Sequence, residues 1–173
     1  DLLQGPPIVR RIRLNHNEPF LVLYTDASGS PRNGLGSVLI NDKHYWSATV
    51  VPDHVLERLR RRLTQINALE VLGVLSAEYT FARFITGRGC VVFIDNTSAL
   101  GVLRNGRCAT NDLNELAFLT HTLASASDAR LIFNLVSSAL NWADPPSRGQ
   151  GAQGTFVADA SDWDAICASL DSS

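Results

Sequence analysis

The chain has 173 residues, 45% of them hydrophobic and 18% charged, enough for one globular domain with its own core. No apolar run approaches the ~18 residues of a membrane span, and a net charge of −2 on so much Leu, Val and Ile excludes intrinsic disorder. Cys90, Cys108 and Cys167 are odd in number and lack CxxC spacing, so they read as buried or free thiols in a reducing compartment.

Residues 1–18 carry Gly-Pro-Pro and no periodicity, which predicts an arm or linker ahead of one domain at 19–173. FLVLYTDAS, from Phe20, is apolar almost throughout, as a central strand covered on both faces should be. The turn cluster SGSPRNG follows, then LGSVLIND and HYWSATVV, joined at Asn41-Asp42; together these predict a three-stranded antiparallel meander. The stretch from His54 to Ile85 is rich in Leu and Ala and predicts a long helix, with Thr64 a break or fresh start. CVVFID is a short buried strand. Asn96 to Leu103 and NDLNELAFLTHTLASAS predict two helices, the second capped by Asn111. ARLIFNLVSS is the last strand of the set. WADPPSRGQGAQG breaks the regularity, and a tail from about 150 ends in a small acidic helix around Asp162 to Leu170. The order βββαβαβα predicts an α/β domain: a five-stranded mixed sheet, three antiparallel then two parallel strands, with helices on both faces.

Charge is distributed unevenly. Fourteen of the fifteen basic residues are arginine, only Lys43 being lysine, and they cluster at Arg10, Arg11, Arg13 and at Arg58, Arg60, Arg61, Arg62. Planar guanidinium forks suit phosphate, although a solvated helix face explains the second cluster equally well.

Four carboxylates carry more information. Asp26 ends FLVLYT and Asp95 ends CVVFI, so on parallel neighbouring strands both emerge at the carboxyl edge, where open α/β sheets bind ligands. Carboxylates so close repel unless a cation lies between them. Each alone also fits a turn or helix cap. Glu70 is the only charged residue between Arg62 and Glu78. On a helix it lies within about 40° of Ile66, Ala77 and Phe81, in the face expected on the sheet, where its alternative is an ion pair with a distant arginine. Asp144 precedes Pro145 and reads either as an N-cap or as a fourth acid reaching the same edge. Oxygen-only ligands select Mg²⁺ or Mn²⁺, and two such ions ~4 Å apart suit in-line phosphodiester cleavage.

YTDASGSPRNGLGSVLI, QINALEVLGVLSA, VVFIDNTSALGVLRNG and NWADPPSRG, in this order, resemble the ribonuclease H family. More narrowly they resemble the RNase H domain of retroelement reverse transcriptases of the DIRS-like or LTR type, over about Phe20 to Gly149. The resemblance implies an RNase H-like fold and cleavage of RNA in an RNA/DNA hybrid. It further implies two Mg²⁺, with Mn²⁺ as substitute, on Asp26, Glu70, Asp95 and Asp144. It points to Ser28, Gln65, Asn67, Asn96, Thr97 and Arg148 as substrate contacts, and to a covalently linked reverse transcriptase domain as partner. A chain without Met fits excision from such a polyprotein, in a cytoplasmic or nuclear setting with no membrane partner and no secretion. Two departures stand out. SSALNW lacks the histidine that cellular-type enzymes carry in this loop, and Asn141 to Asp144 is one residue shorter than their spacing. The competing readings are a catalytically silent RNase H-like scaffold or nucleic-acid-binding module, another nuclease of the same fold, and an α/β domain whose acids are caps. Ser at position 28 disfavours a proofreading exonuclease, and Glu in second place disfavours an integrase.

Overall fold

Residues 19–171 are described by a computed structural model of the chain. The expected arm at 1–18, with Arg10, Arg11, Arg13 and His16, lies outside them. The meander forms as its turn residues dictate: β1 (Leu21–Ala27), β2 (Gly34–Ile40) and β3 (His44–Val50) pair antiparallel in sequence. Strand β4 (Gly89–Ile94) lies parallel to β1, and β5 (Arg130–Leu135) parallel to β4. A sixth strand, β6 (Thr155–Phe156), adds to β3, giving the order β5-β4-β1-β2-β3-β6. Two residues are too few for an alternation signal, which is why only five strands are legible in the sequence.

Leu21, Leu23 and Thr25 of β1 point to one face and are buried under α2 (Ile66–Thr80), with α4 (Thr97–Asn105) and α5 (Asn111–Ala126) alongside. α7 (Trp163–Asp171) packs outside on α5. The other face carries α6 (Asp144–Ser147), seated on β1, β2 and β3. Beyond α6 this face shows aromatics: Tyr24 stacks between Phe93 and the half-exposed Trp142, with ring centroids 5.1 and 5.7 Å away.

The long helix expected over 54–85 is three pieces: α1 (Asp53–Leu56), α2 and α3 (Ala82–Ile85). Tertiary bonds break it. Asp112 of α5 accepts from the Arg60 backbone N–H and the Arg62 guanidinium, holding 57–65 as an irregular loop. Asn111 is also not the cap: Thr110 holds that position, and Asn114 folds back to bond the Cys108 backbone. All three cysteines are free. Among the described residues no helix is long and apolar enough to cross a membrane.

Candidate active site

β1 and β4 are parallel neighbours, so Asp26 in β1 and Asp95 just after β4 share one edge of the sheet. Glu70, one turn into α2, reaches the same edge from the helical face. Asp26, Glu70 and Asp95 each bring one carboxylate oxygen to within 4.8 Å of the others. Among the described residues none of the three is in an ion pair.

The placement of Asp26 depends on a residue without a side chain. Asp26 pairs across the ladder with Gly36, and a Cβ on Gly36 would collide with the Ser147 and Ala143 backbone. Glycine therefore lets α6 lie directly on β2, and α6 and the turn just before it bring two groups to Asp26. The Ser147 hydroxyl donates to Oδ2 in a short bond, and the Asn141 amide donates to Oδ1 at 3.3 Å and to the Thr25 carbonyl at 3.0 Å. Glu70 is held on the other side, its Oε1 accepting from the Ala27 N–H at 3.3 Å. Its Oε2 is buried with no hydrogen-bond partner among the described residues.

The electrostatics follow from this crowding. Burial, opposed by the Ser147 hydrogen bond and reinforced by Asp95 and Asp144, raises the Asp26 carboxyl to about 6. Burial, with the charges of Asp26 and Asp95, raises Glu70 to about 9. Asp26 and Glu70, both held above their ordinary values by burial, lie with Asp95 around an orphaned buried oxygen, and such a group of oxygen donors fits a hard divalent cation.

Asp144 stands at the rim, outside the three-acid group. Its Oδ1 accepts from Arg148, four residues on, at 2.9 Å to Nε and 2.8 Å to Nη2. Arg148 is thus at the site but paired with an acid. The remaining expected contacts fall into two sets. Asn67 and Asn96 meet, the Asn96 amide donating to Asn67 at 3.0 Å while its oxygen caps α4 through Ala99 N–H; exposed Thr97 opens that helix. Gln65 lies at the start of α2, bonded to Arg62 and to the Arg60 carbonyl. Ser28 is committed to the scaffold, donating to the Ser147 carbonyl at 2.7 Å and accepting from Gly34 N–H at 3.1 Å.

Asn141 and Ser147 were not foreseen as site residues. Their only sequence signal is proximity to Asp144. Which of the small polar residues around a turn is buried, as Asn141 (4% exposed) and Ser147 (0%) are, is decided by α6 packing on Gly36.

No protein-family model matches the chain, and no curated protein does. Solved structures do. RNase H1 from Halobacterium salinarum NRC-1 is similar at TM-score 0.55 and 17% identity, over 74% of this chain and 94% of that one. The N-terminal RNase H domain of a Mycobacterium tuberculosis protein, solved fused to maltose-binding protein, is similar at TM-score 0.56 and 18% identity, over 76% and 98%. LC11-RNase H1, isolated from compost, is similar at TM-score 0.50 and 15% identity, over 70% and 87%. The chain has the RNase H-like fold.

Proposed function

We propose that the chain is a divalent-metal-dependent endonuclease that hydrolyses the RNA strand of RNA/DNA hybrids. One observation carries the reading: on an RNase H-like fold, Asp26, Glu70 and Asp95 converge at the carboxyl edge of the sheet with Asp144 at its rim. Asp26, Glu70, Asp95 and Asp144 would hold two Mg²⁺, or Mn²⁺ in their place, which supply a water activated for attack and neutralise charge gathering on the phosphate.

The chain's own residues do the rest. Asn141 and Ser147 fix both oxygens of Asp26, and the Ala27 N–H fixes Glu70, so these two acids need no rearrangement when substrate arrives. Arg148, exposed beside Asp144, exchanges that carboxylate for a substrate phosphate. Asn67, Asn96 and Thr97 face sugar and backbone, with Gln65 next to them at the helix start. Ser28 acts on the site through Ser147. Water attacks phosphorus, the bond from phosphorus to the 3′ oxygen breaks, and that oxygen leaves as a hydroxyl, giving 3′-hydroxyl and 5′-phosphate ends. The 2′-hydroxyl and the hybrid's shape select the substrate, not base sequence. The motif likeness supports a domain that works beside a reverse transcriptase, whose RNA template would be the strand destroyed.

The test is cleavage of a labelled RNA/DNA hybrid in Mg²⁺ and in Mn²⁺, with Asp95→Asn as control and duplex DNA and duplex RNA as comparison substrates. Hybrid-only, metal-dependent cutting that Asp95→Asn abolishes is expected. Equal cutting by the variant would sink the assignment.

A further inference from the structure

The turn between β1 and β2 holds an arginine that the proposed chemistry leaves unused. Arg32 is exposed, yet its Nε donates to the Ser147 carbonyl at 3.1 Å, 115 residues away in sequence. That carbonyl ends α6 and accepts from no backbone N–H among the described residues. Its donors are two side chains of the same turn, the Ser28 hydroxyl at 2.7 Å and Arg32. The last carbonyls of a helix need such outside partners where the chain itself supplies none.

The backbone makes room for the bond. Gly149 has φ of +79°, which side-chain-bearing residues rarely adopt, and a Cβ there would lie 2.5–2.6 Å from the Arg32 guanidinium. The guanidinium therefore lies against the chain leaving α6, with Nε turned onto Ser147. Arg32 makes no ion pair and no hydrogen bond to any of the four acids among the described residues. Fixing an exposed arginine costs rotamer freedom, and the one contact that offsets it is the grip on Ser147.

What is gripped matters. Ser147 is the residue whose hydroxyl holds Asp26 Oδ2, and Asp144 lies three residues before it on the same single turn. A shift of the Ser147 backbone would therefore move that hydroxyl and the Asp144 carboxylate together. One turn of helix does not hold its shape alone, so its position is set by what it touches.

We infer that Arg32 is a positioning residue for cleavage: from the β1–β2 turn it clamps the end of α6, and so keeps Asp26 and Asp144 in register at the carboxylate edge. The inference rests on the proposed function and deepens it. Arg32 acts through its Nε–H and not through its charge, which separates it from an arginine that meets a substrate phosphate.

Side-chain chemistry supplies the test. Gln offers an N–H donor at the place along the side chain where arginine has Nε, without the charge; Met has similar length and no donor. Arg32→Met and Arg32→Gln are compared with the parent, each as the full chain. Three quantities are read: Mn²⁺ affinity without hybrid, from the paramagnetic resonance of free Mn²⁺; kcat and KM on a labelled RNA/DNA hybrid; and the thermal midpoint. Arg32→Met is expected to weaken Mn²⁺ binding and to lower kcat, each roughly ten-fold, the low end for groups that orient metal ligands, with KM unchanged. Arg32→Gln is expected to stay close to the parent in both. Parental Mn²⁺ affinity and kcat in Arg32→Met would overturn the clamp. A raised KM in both variants, with kcat and Mn²⁺ affinity unchanged, would make Arg32 a substrate contact instead. Equal impairment of Arg32→Gln and Arg32→Met would show that the charge acts, and is equally fatal. So is a loss in Arg32→Met that vanishes when each protein is assayed equally far below its own thermal midpoint, since Arg32 is then merely structural. In all these cases the parent still cuts hybrid, and the proposed function stands. A parent that cuts no hybrid in either metal overturns that function, and the clamp with it.

Discussion

Two glutamates on α2 sit eight residues apart, equally deep, and have opposite meanings. Glu70 is 3% exposed and Glu78 is 1%. Glu70 has company: a backbone donor, two other carboxylates and an edge open to solvent species. Glu78 has neither of its oxygens hydrogen-bonded among the described residues, and its charge would fall near Cys90 at the other end of the strands. Burial alone raises the Glu78 carboxyl well above its ordinary 4.5, whereas at Glu70 burial is joined by two like charges. A buried acid among acids calls for a cation; a buried acid among hydrocarbon keeps its proton. Depth alone does not mark a functional carboxylate.

The comparison can be broken by substitution. Glu70→Gln should lower hybrid cleavage by ~10²–10³-fold, the rate equivalent of several kcal/mol of charge stabilisation, while the fold survives. Glu78→Leu should leave cleavage intact and raise unfolding free energy by ~1–3 kcal/mol, because an unpaired polar group leaves the interior. Denaturant titration of both variants beside the parent checks this, and a destabilised Glu78→Leu would show that the carboxyl has a partner after all.

Metal sharpens the contrast. Mg²⁺ at about a hundred times its dissociation constant should stabilise the parent by ~2.7 kcal/mol. The gain should persist in Glu78→Leu and shrink in Glu70→Gln, read as the shift in thermal midpoint on adding Mg²⁺.

The smallest effect is in pH. With its folded-state value raised, Glu78 keeps a proton that the unfolded chain sheds above about 4.5. Its contribution to stability is therefore full below about 4.5 and is lost as pH rises. The advantage of Glu78→Leu over the parent should be larger at pH 8 than at pH 5; an advantage that shrinks as pH rises would reverse the assignment.

Sequence legibility followed the same division. Asp26 and Asp95 were visible because each ends an apolar run, and parallel pairing of β1 with β4 then puts them at one edge. Glu70 was visible because nothing charged surrounds it. Glu78 was not, because Ser76, Thr80 and Arg83 nearby suggest an exposed turn of helix. In the fold α2 is covered all round, by the sheet on one side and α5 on the other, so helical periodicity carries no sign of which positions are outside. The break before Thr64 was only half legible, since Asp112, fifty residues later, makes it. The substrate contacts implied by likeness remain proposals, while the bonds of Gln65 and Ser28 show how much of their hydrogen-bonding capacity the scaffold takes up.

α6 contributes one of the four acids and the hydroxyl that holds another, yet it is a single turn of four residues. Its grip on the sheet is local: glycines in β2, the Ser28–Ser147 bond, and Asn141 tucked against Thr25. An element of a single turn opens at a fraction of the free energy needed to unfold the whole domain. On warming, Asp144 and Ser147 would therefore leave the carboxylate edge while the six strands and α2 stay assembled. The proposed cleavage would be lost below the melting point of the domain, and recover on cooling without refolding.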